Sequence, residues 1–139
     1  MMKLYHLDRE ATRDHSRDLL LAIVDPNDNF TPGQVLEQGN ETFDAMKEAF
    51  SLGFYTCVAE IDSNDMNFAY ANTQNIDDSW AEHPADGVQV LGGEPARSTH
   101  VGDILEDDGV YSAVAARAGF ITLSWFAPPT SKPSDAPAP

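Results

Sequence analysis

Gly102-Asp103-Ile104-Leu105-Glu106-Asp107-Asp108-Gly109-Val110-Tyr111-Ser112-Ala113-Val114-Ala115-Ala116 is the stretch whose reading decides the fold. Two runs rich in branched and aromatic residues flank Asp107-Asp108-Gly109, and an Asp-Gly pair supplies the positive φ that a tight hairpin turn requires. Strands are therefore predicted over 102–106 and 110–116. Gly119 marks the next bend, and 120–125 adds a third strand. Strands in sequence joined by short turns make an antiparallel sheet.

Upstream, residues 3–7 read as a first strand. The apolar run Leu19-Leu20-Leu21-Ala22-Ile23-Val24 reads as a buried second strand over 18–24, with the polar segment 8–17 joining the two. Asp25-Pro26-Asn27-Asp28-Asn29 reads as a turn. Thr31-Pro32 starts a short helix that Gly39 stops, and Asn40 caps a second over 41–52, where Phe43, Met46 and Phe50 form one apolar stripe. Gly53 ends it. Residues 54–61 read as a central strand, Asp62-Ser63-Asn64-Asp65 caps a helix over 66–73, and 88–91 is a further strand within the irregular stretch 74–97. Residues 127–139 hold five prolines and nothing to bury, so a disordered tail is expected. The predicted architecture is α+β: one small domain over 1–126, mainly antiparallel sheet with two or three short helices.

Charge narrows the functional classes. The 139 residues carry 23 Asp and Glu against 8 Lys and Arg, a net of −15. Between Asp18 and Glu94 stand fifteen acids and one base, Lys47, so that segment holds −14 of it. The acids alternate with apolar residues, so the charge belongs on a folded surface rather than in a tail. Nucleic acid and anionic membranes would repel such a chain. No run approaches the roughly 18 apolar residues of a membrane span and no signal-peptide pattern opens the sequence, which predicts a cytoplasmic protein.

Sites of known chemistry fail one by one. Asp25-x-Asn27-x-Asn29 has the opening spacing of a calcium loop, but Phe30 stands where glycine is needed and Leu36 where a bidentate Glu is needed. Asp62-x-Asn64 runs on to Met66, which cannot ligate calcium. His6, His15, His83 and His100 form no i, i+4 pair, and the single cysteine, Cys57, lies in an apolar strand as a small hydrophobe. Ser98 and His100 lack a nucleophile elbow, and Gly92-Gly93 lacks the Lys-Ser/Thr of a phosphate loop. The adjacent carboxylates of Asp77-Asp78 and Asp107-Asp108 point to opposite faces of an extended chain, so neither pair is an acid–base dyad. No metal, cofactor or catalytic residue is predicted.

Two motifs carry a resemblance. Asn75-Ile76-Asp77-Asp78-Ser79-Trp80 is followed by Arg97-Ser98-Thr99-His100-Val101-Gly102-Asp103, then by Asp108-Gly109-x-Tyr111-x-x-Val114 and Gly119-Phe120. Over its C-terminal half the chain resembles the small YodL-like proteins of plasmids, phages and integrated elements, with His100 where that family carries Ser. The resemblance implies an α+β fold and residence on mobile DNA, and no established reaction. The residues themselves also read as scaffold. Gly102 permits a bend, Asp103 bonds to backbone donors beside it, Tyr111, Val114, Phe120 and Leu123 point inward, and Trp80 covers the core from outside.

The leading expectation joins charge and resemblance: a non-catalytic acidic protein of a mobile element that inhibits a host defence enzyme, of restriction or CRISPR type, by docking on its cationic nucleic-acid groove as a DNA mimic. Its contact residues are Glu37, Glu41, Asp44, Glu48, Asp62, Asp65, Asp77, Asp78 and Glu82, on one anionic face. A second reading is a structural or regulatory module, open to homodimerisation, whose acids only keep it soluble. A third is an enzyme with a dispersed site around His100, Asp103 and Trp80.

Overall fold

A computed structural model describes residues 1–29, 40–76, 79–91, 97–115 and 119–123. The helix predicted after Thr31-Pro32, Gly92-Gly93 and the 127–139 tail lie outside them. The chain order is β1 (Met2–Leu7), α1 (Arg9–His15), α2 (Arg17–Asn29), α3 (Asn40–Ser51), β2 (Tyr55–Ile61), α4 (Met66–Ala71), β3 (Val88–Val90), β4 (Ile104–Asp107), β5 (Val110–Ala115) and β6 (Gly119–Leu123). The strands form one six-stranded sheet in the order β3-β2-β1-β4-β5-β6, antiparallel throughout. The fold is α+β, as the hairpin reading requires, with four helices among the described residues.

The extra helices correct two expectations. Residues 8–17 are not a plain connection, because Asp8 caps α1: its carboxylate accepts from the Ala11 amide at 3.0 Å while its carbonyl accepts the Thr12 hydroxyl at 2.7 Å. Residues 18–24 are helix, not strand. The Ser16 hydroxyl accepts from the Leu19 amide at 3.1 Å and starts α2, whose Leu19 and Ile23, one turn apart, are buried while Leu21 is 39% exposed. A short apolar run has no period that separates the two forms. Length decides: the helix continues through the predicted turn despite Pro26, with the Asn27 and Asn29 side-chain amides bonded to the carbonyls four residues back, at 2.8 and 3.0 Å.

Both faces of the sheet are buried. One packs Leu7, Ile104, Ala113 and Leu123 against Leu19 and Ile23 of α2 and Met46 of α3. The other packs Met2, Leu4, Ala59, Ile61 and Leu105 against Ala69 of α4 and Trp80. The expected inward set therefore divides. Tyr111 and Leu123, paired across β5 and β6, face the α2–α3 layer, whereas Phe120, paired with Val114, faces α4. A side-chain period of two puts residues three apart on opposite faces. Trp80, 4% exposed, belongs to the second core rather than to its outside.

Two glycines do distinct jobs. In the β4–β5 hairpin Asp108 (φ 57°) and Gly109 (φ 84°) form the two-residue turn that the twist of the strands favours. Gly102 (φ 88°) lies just before β4 against α2, where an added Cβ would stand 3.2 Å from Ile23 Cγ2; at Gly109 it would meet nothing within 4 Å. Gly109→Ala is expected to cost about 1 kcal/mol, the left-handed backbone penalty alone. Gly102→Ala should cost about 2–4 kcal/mol, because crowding of Ile23 adds to the same penalty. Urea denaturation of the two variants checks the difference.

Candidate functional site

The resemblance motif folds into a closed polar network at the Leu7 end of β1. The Asp103 carboxylate, fully buried, accepts four hydrogen bonds of 2.8 Å: from the Leu7 and His100 amides and from both terminal nitrogens of Arg97. Arg97 also donates to the carbonyls of Leu7 and Ser98. Burial opposes its charge, but bonding to Asp103 outweighs that and raises its pKa. The Tyr55 hydroxyl donates to the Gly102 carbonyl at 2.6 Å, Ser98 accepts from the Asn75 amide, and the Trp80 indole donates to the Arg97 carbonyl at 2.8 Å. Arg97, Ser98, Gly102 and Asp103 thus tie the 97–103 segment to β1, β2 or the 75–80 segment, where sequence expected Asp103 to bond only to backbone donors beside it.

This network does not have the geometry of a catalytic triad. His6 Nε2 lies 3.0 Å from the Thr99 hydroxyl and 3.9 Å from Asp103 Oδ2, so one nitrogen faces both the hydroxyl and the carboxylate. A triad needs the carboxylate on the other nitrogen. Thr99, 1% exposed, is also shared with the Thr73 hydroxyl at 2.8 Å. Burial holds His6 neutral, with its pKa lowered to about 4 against the pull of Asp103, so the 3.9 Å contact is not an ion pair at neutral pH. Of the three residues named for a dispersed active site, Asp103 and Trp80 are buried and only His100 borders a cleft.

The opposite end of the sheet is acidic. Register places Lys3 between Glu60 of β2 and Glu106 of β4, and Met2 between Ile61 and Asp107. Beyond them the chain turns at Asp62, whose amide donates to the Gly87 carbonyl at 2.7 Å and so brings Asp86 alongside, and at Asp108 in the hairpin. Asp62, Asp86 and Asp108 are exposed. The Tyr5 pKa is pushed up to about 12, chiefly by burial, then by Tyr111 and Cys57, and least by Glu106. At this end a groove of about 270 Å³ opens on the α4 face of the sheet, with Met2, Leu105, Met66 and Val110 as its apolar walls and Asp107 and Asn64 as polar ones. Val110 is 42% exposed.

The predicted contact residues do not share one face. Glu41, Asp44 and Glu48 are exposed along α3, in the layer on one side of the sheet. Asp65 and Glu82 lie in segments packed on the other side, and Asp62 lies at the sheet's end. Asp65 is also the N-cap of α4, accepting from the Asn67 amide at 2.9 Å. Glu37, Asp77 and Asp78 lie outside the described residues. Sequence reasoning missed Asp107, which strand register sets beside Met2 on the groove face, and Asp86, which the Asp62–Gly87 bond brings to the same end; Glu60 and Glu106 flank Lys3 on the opposite face. Among the described residues no three His, Cys, Asp or Glu converge as a metal cluster, and no helix is long and apolar enough to cross a membrane. Comparison with family models, curated proteins and solved structures returned no match for this chain.

Two outcomes follow from the network. With His6 at about 4 in the fold and near 6.5 unfolded, the unfolded chain binds the extra proton between those values, so stability falls as pH drops from 6.5 to 4. The loss is on the order of 3 kcal/mol at the lower end. A His6→Gln variant, compared by urea denaturation across that range, should lose this component of the slope. Asp103→Ala strands a guanidinium and two amides and is expected to cost about 3–5 kcal/mol, with Asp103→Asn milder because an acceptor oxygen remains. Thermal and urea unfolding at pH 7 check the order.

Proposed function

We propose that this chain is a non-catalytic acidic binding protein that docks on a cationic surface of another protein through the Met2 end of its sheet. The observation that carries the reading is the coincidence of an apolar groove with a rim of carboxylates. Val110, 42% exposed, and half-buried Met66 offer the accessible apolar wall for one side chain, with Met2 and Leu105 buried beneath, and Asp62, Asp86, Asp107 and Asp108 stand at the same end for flanking Lys or Arg. Apolar burial supplies affinity at such a surface, while the charges supply partner choice and association rate. Residence on mobile DNA, which the resemblance implies, joined to the acidic charge supports the class of partner: a defence enzyme of restriction or CRISPR type, whose cationic groove binds nucleic acid. On this reading the protein acts in the cytoplasm for a plasmid or phage. The exposed stripe Glu41, Asp44 and Glu48 on α3 supports a second version, with the same partner class docked on the helical layer instead.

Immobilised protein exposed to bacterial lysate at low salt separates the versions. It is expected to retain a nucleic-acid-binding enzyme that duplex DNA displaces and whose affinity drops about tenfold or more between 50 and 300 mM salt. Asp62→Lys with Asp86→Lys, or Val110→Glu alone, should abolish retention, while Glu41→Lys with Asp44→Lys and Glu48→Lys should leave it intact. The reverse pattern moves the docking surface to α3. Retention of nothing displaceable by DNA, or equal retention by every variant, overturns the reading.

A further inference from the structure

A second cleft, of about 340 Å³, lies between the first turn of α1, α2, α4 and the loop before β4, with Arg9, Val24, Asp25, Tyr70, His100 and Val101 on its walls. It is remote in character from the acidic rim, because it combines charges of both signs. Of the five donors of the Arg9 guanidinium, one nitrogen reaches the Val101 carbonyl at 3.1 Å, and the buried Nε has no partner. Asp25 is exposed, and among the described residues the ion pair at neutral pH is that of Arg97 with Asp103, so Arg9 and Asp25 face the same cleft without pairing to each other. A ligand that spans them needs an acceptor at one end and a cationic donor at the other. A simple anion meets the repulsion of a chain at −15, whereas a net-neutral zwitterion does not. Val24 and Val101 supply apolar wall and Tyr70 an aromatic one. The volume falls at the small end of ligand sites, the size of one amino acid or a dipeptide.

We infer that this cleft binds a free α-amino acid with an apolar or aromatic side chain, its carboxylate on Arg9 and its ammonium on Asp25. The site is independent of the docking surface proposed above. Calorimetric titration of the full chain with L-leucine and L-phenylalanine, each beside its N-acetyl and methyl ester derivatives, tests it. The free amino acids are expected to bind, and masking either end should weaken binding about tenfold or more, the worth of a charge-assisted hydrogen bond. Asp25→Asn, an exposed change that leaves the fold intact, should weaken the free amino acids by about the same factor without affecting the N-acetyl forms. Arg9→Gln should do the converse for the esters. Asp62→Lys with Asp86→Lys should leave binding unchanged, which separates this site from the rim. Absence of heat for both amino acids at about 10 mM, equal binding of free and N-acetyl forms, or indifference to Asp25→Asn overturns the assignment.

Discussion

The Arg97–Asp103 pair is the constraint on which the rest of the molecule depends. A buried ion pair is a poor source of net stability, since desolvation offsets most of its attraction. Its value here lies in position. Asp103 takes the Leu7 amide at the end of β1 and the His100 amide in the loop, while Arg97 takes the Leu7 carbonyl, so one pair joins a central strand to a segment some ninety positions later. With that segment pinned, Gly102 seats against Ile23 of α2, Tyr55 closes on the Gly102 carbonyl, and Val101 presents its carbonyl to Arg9. Two helices, two strands and the loop meet there, and removing either charge leaves the other buried without its two charge-assisted hydrogen bonds.

Helices on one face and α4 with the 79–85 segment on the other give the sheet little bare surface at its middle. Features able to meet another molecule therefore gather at the two ends of the strands. The Leu7 end collects Arg9, Arg97, His6 and His100, and the Met2 end collects the carboxylates of β2, β4 and their turns. The Leu7 end is mixed in sign, with Asp8, Asp25 and Asp103 beside Arg9 and Arg97, and exposed carboxylates also line α3. The uncovered groove, beyond α4 over β4 and β5, opens at the acidic end.

Legibility differed sharply between elements. The β4–β5 hairpin, the α3 stripe, β2 and the Asp65 cap are visible in sequence because each is set by a local rule: positive φ at Asp-Gly, spacing of apolar residues, or an oxygen two or three residues before a free amide. The same rule operates at Asp8 and Ser16, whose caps start α1 and α2 and turn the Leu19–Val24 run helical. That run has no polar break to show a period, and both forms would bury it. The expectation of one shared face differs from the structure for another reason. Glu41, Asp44 and Glu48 share a stripe legibly, but whether they share a face with Asp62, Asp65 and Glu82 depends on which side of the sheet α3 packs.

Composition and local pattern by themselves determined that this is one acidic α+β domain with a C-terminal antiparallel hairpin, lacking the motifs of metal, phosphate or nucleophile chemistry. They did so because turn dihedrals, caps and alternation act over a few residues. Only the tertiary structure decided that Lys3, Glu60 and Glu106 stand in one row, that Arg97 and Asp103 close on Leu7, and that Arg9 and Asp25 face a common cleft. Those juxtapositions come from strand register and layer packing, which the whole chain settles at once through burial, and no local spacing encodes them.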